Sequence, residues 1–128
     1  MRALLDTDAL LWWLSDDPAL SRRAREAIAN TKNTLIVSAA SAWEVATKVR
    51  LGKLPTAANL ASDFAGHLQR EGFETLAIST EHAIRAGLLA GSLRDPFDRM
   101  LIAQAQAENM PLVSNETLFD DYGIRRLW

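Results

Sequence analysis

The chain has 128 residues, a hydrophobic fraction of 48%, a charged fraction of 23% and a formal charge of −2. That length suits one domain able to bury its own core, and the composition is that of a globular chain, which excludes disorder. The absence of cysteine excludes disulfides, thiolate nucleophiles and cysteine-bound zinc, and it fits a reducing compartment.

Taken in chain order, Ala3–Leu5 is a continuous apolar run and predicts a strand buried on both faces. A helix is predicted over Ala9–Leu14, closed by the Ser15-Asp16-Asp17-Pro18 turn, and Ser21 caps a second through about Asn30. Thr34–Val37 is short and starts on a β-branched residue, which predicts a second buried strand. A helix over about Ala40–Leu51 stops at Gly52, and another is expected over Ala57–Arg70 before Gly72 breaks it. Thr75–Ile78 reads as a third strand, with Ser79 or Thr80 capping a helix over about Glu81–Ala90. Asp95-Pro96 opens a helix to Glu108, Asp as cap and Pro at the first helical position. Leu112–Ser114 is a fourth strand, and Ile124–Leu127 reads as a short last one.

Strands alternating with helices imply an α/β fold: a single domain over residues 1–128, with a central parallel sheet flanked by helices on both faces. In such folds ligands sit beyond the carboxyl ends of the strands, where helix N-termini also lie. Asp6 follows the first strand, Glu44 sits early in the helix after the second, Asp98 is in the first turn of the helix before the fourth, and Glu116 follows the fourth. All four are therefore expected at one edge, and oxygen-only ligation is what Mg²⁺ or Mn²⁺ prefers. Each also has a structural alternative. Asp6 can cap the next helix, although Asp8 is better placed to do so. Glu44 can close a capping box with Ser41 and pair with Lys48. Asp98 can simply favour a helix start beside the Asp95 cap, and Glu116 can be a solvated loop acid. Two details favour a site. Asp98 stacks above Ile102 and Ala105 on a partly buried stripe, and Asp6 prolongs a doubly buried strand, where an unpaired charge is costly.

These stretches carry a family resemblance. Leu4-Leu5-Asp6-Thr7 followed by Leu10-Leu11-Trp12 resembles the opening of PIN-domain proteins, in particular the VapC-like toxins of toxin–antitoxin pairs. Ser38–Ala46 with Lys48, Gly52, Lys53 and Leu54 resembles the second motif of that subgroup, and Arg94–Arg99 with Leu101–Ala105 the third. Leu112–Glu116 with Phe119-Asp120 and Tyr122-Gly123 resembles the fourth, so the likeness covers nearly the whole chain in the right order. It implies an RNA endonuclease using Mg²⁺ or Mn²⁺, often dimeric and inhibited by a cognate antitoxin. It implies Asp6, Glu44 and Asp98 as catalytic, metal-holding acids, and it puts Glu116 where a fourth acid, usually Asp, would stand. The chain departs from the pattern with Asp8 in place of a His, Ser114 in place of a Thr, and Glu at 116. An extra methylene there shifts the carboxylate by about one bond length, so Glu116 is the ligand the likeness supports least.

Thr7 and Ser114 are candidates to orient water or phosphate, against the common alternative that such hydroxyls bond to backbone. Arg94 and Arg99 flank Asp98 and are the first candidates for RNA phosphates; Lys48, Arg50 and Lys53 are weaker ones, more readily explained by pairing or solvation. Trp12, Trp13 and Trp43 suit core packing or a protein interface better than base stacking. His67 and His82 are misplaced for a Ser–His–Asp triad, Gly52-Lys53 is not a P-loop, and no G-x-G-x-x-G occurs.

The charge of −2 disfavours a plain nucleic-acid binder, except where carboxylates gather around divalent cations. The start at Met1-Arg2 shows no signal-peptide pattern and Ala9–Leu14 is too short to span a bilayer, so a cytoplasmic protein without membrane association is expected. The second reading, from another class, is a non-catalytic PIN-like module that binds RNA or protein. A phosphotransfer receiver ranks last, because the third predicted strand ends in Ile78-Ser79 without an aspartate.

Overall fold

The computed structural model describes Met1–Trp128. Five strands form, β1 (Arg2–Leu5), β2 (Thr34–Ser38), β3 (Glu74–Leu76), β4 (Leu112–Val113) and β5 (Arg126–Leu127). Seven helices join them: α1 (Thr7–Leu14), α2 (Arg22–Ala29), α3 (Ala39–Arg50), α4 (Ala58–Ser62), α5 (Phe64–Glu71), α6 (Thr80–Leu88) and α7 (Pro96–Ala107). All strand pairings are parallel, in the order β3-β2-β1-β4-β5. The α/β sheet expected from the sequence is therefore present.

β1 is central because its side chains are apolar on both faces. Ala3 and Leu5 point into one core with Leu10, Ala24, Ile28, Val37, Leu68 and Val113, which α1, α2 and α5 cover. Leu4 points the other way, into a second core with Ile36, Leu101, Ile102, Ala105, Leu112 and Phe119, built largely on α7. The alternation follows from the two-residue period of a strand. Fully burying a leucine such as Leu4 is worth about 1.5–3 kcal/mol.

The strand order places a topological switch between β1 and β4. From β1 the chain moves outward through β2 and β3 on one side, then returns to lay β4 and β5 on the other. Residues leaving β1 and β4 at their carboxyl ends thus become neighbours across the crevice where such sheets take ligands. The ladder continues one step past β1, as Asp6 N–H donates to the Val113 carbonyl at 3.1 Å.

Three local details differ from the sequence expectation. α1 starts at Thr7, and Asp6 rather than Asp8 caps it, its Oδ1 accepting from Ala9 N–H at 2.7 Å. Ser38 caps α3 through Ala40 N–H at 2.9 Å, which places Ser41 inside the helix and leaves no capping box with Glu44. The helix expected over Ala57–Arg70 is a 3₁₀ turn (Pro55–Ala57) followed by α4 and α5, broken at Asp63. Asp63 leaves helical geometry and its carboxylate accepts from Gly66 N–H, and a Cβ at Gly66 would collide with that carboxylate. No helix is long and apolar enough to cross a membrane.

Candidate metal centre at the carboxyl edge of the sheet

Asp6 is 7% exposed and Ser114 is fully buried, one at the end of β1 and the other at the end of β4. The Asp6 carboxyl is raised to about 6, chiefly by burial, with the Ser114 hydroxyl and the Ala9 amide opposing the rise and repulsion from Asp8 and Glu44 adding to it. The carboxylate caps α1 at the end of β1, and this cap leaves it beside the Ser114 hydroxyl at the end of β4.

Glu44 comes from the first half of α3 and is 6% exposed. Its Oε2 accepts from Lys48 Nζ at 2.5 Å, one turn along the same helix. The neighbouring Ser41 accepts a hydrogen bond from the buried Thr7 hydroxyl at 2.9 Å, which ties α3 to the start of α1.

Asp98 stands in the first turn of α7, held there by the Asp95 cap, whose Oδ1 accepts from the Phe97 and Asp98 amides at 2.9 and 3.1 Å. Burial first, and then repulsion from Asp95, Glu44, Asp6 and Glu116, together raise the Asp98 carboxyl to about 7. One partly buried carboxyl thus lies in the field of the three other acids that the sequence singled out. Asp8 is raised as well, by burial and then by Glu44.

Glu116 is exposed at the rim. Its amide donates to Ser114 Oγ at 2.9 Å, and its Oε1 accepts from Leu118 N–H at 3.0 Å, capping a 3₁₀ turn over Thr117–Tyr122. It contributes repulsion at Asp98 from this position, with its carboxylate already engaged by backbone.

The residues expected to touch RNA divide into two groups. Thr7 and Ser114 are buried and spend their hydroxyls on Ser41 and on the Glu116 amide, so they brace the acids rather than face a phosphate. Arg99 is a correction. Its guanidinium donates to the carbonyls of Ala86, Gly87, Leu89 and Leu93 and clamps the segment between α6 and α7. Nε, Nη1 and Nη2 all donate to backbone carbonyls, so the guanidinium is committed first to this clamp rather than standing free beside Asp98. Arg94, Arg50 and Lys53 are exposed.

Three further neighbours bear on the site: Arg126, to which the sequence assigned no role, Asp95, a further candidate acid whose cap role explained it, and Trp43, which suited core packing or a protein interface. Arg126 donates to the Ser114 carbonyl at 3.1 Å and pairs with Asp120, pinning the loop that carries Ser114 and Glu116. Asp95 adds charge as well as a cap. Trp43 is 55% exposed and meets Phe97 edge-on at 4.7 Å, each ring adjoining a site acid in sequence. Only Asp95 had a local signal, its Asp-Pro context.

No three acidic or histidine side chains stand close enough to clasp an ion as they are. The donor chemistry nonetheless fits a hard divalent cation. The set is carboxylate oxygen throughout, and at Asp6 and Asp98 repulsion among the acids adds to burial in raising the carboxyls. A cation relieves that strain in the charge distribution.

A parallel α/β domain with an acidic ligand edge at its switch point defines the class. The PIN-domain family profile matches residues 3–124, and the chain belongs to that family. It is 38% identical over 58 residues to the ribonuclease VapC16 of Mycobacterium tuberculosis, a match covering 45% of this chain and 41% of that relative. The chain thus aligns with less than half of that relative's length. Among solved structures, it matches a chain of VapBC2 from Rickettsia felis, a complex bound to a promoter DNA fragment, with a TM-score of 0.71, 21% identity and full coverage of both chains. It matches VapBC-1 from nontypeable Haemophilus influenzae at 0.66 with 15% identity, covering 98% of this chain and 96% of that one. A toxin–antitoxin complex from Klebsiella pneumoniae follows at 0.60 with 23% identity, over 90% and 87% of the two chains. These likenesses establish a shared fold.

Proposed function

We propose that the chain is a metal-dependent endoribonuclease, the toxin of a toxin–antitoxin pair, hydrolysing RNA phosphodiester bonds in the cytoplasm. The observation that carries this reading is the position of Asp98, where repulsion from Asp6, Glu44 and Glu116 converges on one carboxyl beside the β1/β4 crevice. Four acids gathered from separate stretches of chain have no folding purpose that a neutral side chain would not serve better. Family membership and the partial match to a ribonuclease support the same conclusion.

Asp6, Glu44 and Asp98 would hold Mg²⁺ or Mn²⁺, with Glu116 at the rim as the outermost of the set. The ion, when bound, lowers the pKa of a coordinated water and offsets charge on the phosphoryl oxygens. The chain does the rest. The Ala9 amide and Ser114 hydroxyl fix the Asp6 carboxylate, and the Thr7–Ser41 hydrogen bond fixes α1 against α3. The Asp95 cap sets the first turn of α7 and so the direction of Asp98. Asp6 and Asp98 release their protons as the site loads, which ties loading to pH. Exposed Arg94, with Arg50 and Lys53, supplies positive charge for RNA phosphates, contacts that position a substrate without reading its sequence.

The proposal includes a cognate antitoxin as partner, supported by chains of the same fold solved as VapBC and toxin–antitoxin complexes, and a homodimer as the working form, which rests on the family resemblance alone. A second reading, a non-catalytic PIN-like module, is favoured by one observation: Glu116 is already engaged and no three acids are assembled around an ion.

One assay separates the two. Purified protein should cut RNA with Mg²⁺ or Mn²⁺ and stop in EDTA. Asp6→Asn and Asp98→Asn should each lower the rate by at least about a hundredfold, since even outer-shell partners of a metal are worth ten- to hundredfold, while circular dichroism stays native. Asn is a good helix cap, so Asp6→Asn keeps α1 intact. Cleavage by both variants at the parent rate would remove the assigned site, and no metal-dependent cleavage by the parent would favour the binding module.

A further inference from the structure

Glu44 is the site acid whose charge is met by a side chain rather than by backbone. Its side chain is 9% exposed, and the Lys48 ammonium stands 2.5 Å from Oε2. A Glu followed four residues later by Lys is a common surface pair on helices. This pair differs in two respects. Glu44 is nearly buried, and the Lys48 ammonium lies in the field of Asp8 on α1 and of the α7 cap Asp95 as well as of Glu44. Lys48 therefore sits where the charges of three elements of the acidic edge, α1, α3 and α7, act together on one ammonium.

We propose that Lys48 is a tethered counter-cation, neutralising Glu44 while the site is metal-free and setting the divalent-ion concentration at which it loads. This rests on the metal-centre reading above. A nearly buried carboxylate requires a partner charge, and in the empty site Lys48 supplies it. A divalent ion arriving at the same carboxylate is repelled by that ammonium, so loading carries the cost of weakening the pair. Lys48 acts on the ion through Glu44 and is a positioning residue, not a catalytic one.

The test is a calorimetric titration of Mn²⁺ into the full chain and its Lys48→Met and Lys48→Arg variants, with melting temperatures in EDTA and at saturating Mn²⁺. Met keeps the apolar stem and removes the charge. Lys48→Met should bind Mn²⁺ on the order of tenfold more tightly or better, the scale of one positive charge removed from beside a dication under water-like screening. It should also melt lower than the parent in EDTA and gain more from Mn²⁺, because Glu44 is then buried without a counter-charge until the ion binds. Lys48→Arg should behave as the parent in both respects. In a Glu44→Gln background, Lys48→Met should change Mn²⁺ affinity little, since the charge it competes for is gone. Should Lys48→Met not fold in EDTA, Lys48→Gln prepared with Mn²⁺ and titrated after dialysis gives the same comparison. Mn²⁺ affinity that is equal or weaker in the neutral variants overturns the role of Lys48 and leaves the metal centre standing, with Lys48 an ordinary helix pair. No Mn²⁺ binding by parent or variants overturns the metal-centre reading and this inference together.

Discussion

Asp6 and Ser114 lie where two parallel strands end side by side, and their polar atoms are met by backbone: Ala9 N–H at Asp6, Glu116 N–H at Ser114. Glu44 and Asp98 lie on helices a short way off. One is met by the flexible end of a lysine, and the other carries repulsion from four neighbouring carboxylates. The strand side of the acidic edge is thus met by backbone, whereas on the helix side one acid leans on a lysine and the other carries unrelieved repulsion. In the proposed metal centre the strand side would be the fixed anchor for an ion that demands near-ideal octahedral geometry.

Three perturbations probe that contrast. The largest effect on stability is expected from Arg99, which serves neither half directly but clamps the segment leading to α7. Arg99→Ala abandons the carbonyls of Ala86, Gly87, Leu89 and Leu93 and should cost about 3 kcal/mol or more in urea unfolding, since hydrogen bonds to charged groups are worth about 1.5–3 each. A loss below about 0.5 kcal/mol, the usual range for a surface substitution, would return Arg99 to the list of free cations.

Next in size is a pH effect on the helix side. Asp98 is raised to about 7 and Asp6 to about 6 from 3.8. A carboxyl with a raised folded-state pKa binds its proton more tightly when folded. Its contribution is full below pH 3.8 and is lost as pH rises through the folded value. Metal-free protein should therefore lose this stability between about pH 4 and 7. Asp98→Asn should match the parent near pH 4 and exceed it above pH 7 by about 1–2 kcal/mol, a figure reduced for the solvent screening of a half-open site. Chemical denaturation in EDTA at several pH values measures the gap. A gap that does not widen with pH would mean Asp98 is not strained by its neighbours.

The smallest change should come from the strand side. Ser114→Ala removes the acceptor of the Glu116 amide and the hydroxyl beside Asp6, at a cost of about 1 kcal/mol. Unlike the Asp98 gap, which opens as a gain with rising pH, its effect on metal-free stability should be a loss throughout. Equal pH profiles for the two variants would erase the distinction between the halves.

The parts of the fold readable in the sequence were those with a local cause. Ala3–Leu5 and Thr34–Val37 are short apolar runs that only a doubly covered strand uses, and Asp95-Pro96 marks a helix start by cap and fixed backbone angle together. The edge location of Asp6, Glu44, Asp98 and Glu116 followed from topology alone. What was not readable had a tertiary cause. Arg99 looks like a free cation until the backbone of Ala86–Leu93 folds over it. Asp63 sits in an uninterrupted helical periodicity, and nothing nearby says that its carboxylate will break the helix by capping the next one. Ser38 and Ser41 are both plausible caps by sequence, and the choice depends on where β2 ends. Lys48 was legible as a helical partner of Glu44, but its exposure to Asp8 and Asp95 depends on α1 and α7 arriving beside it.

The pairing of β1 with β4 also governs timing. Leu4 aligns with Leu112 and Leu5 with Val113, so the crevice is closed by segments far apart in the sequence. Contacts so distant along a polypeptide form late and slowly. During translation Asp6 therefore emerges well before Asp98 and Ser114, and a growing chain has no assembled crevice until β4 has been made.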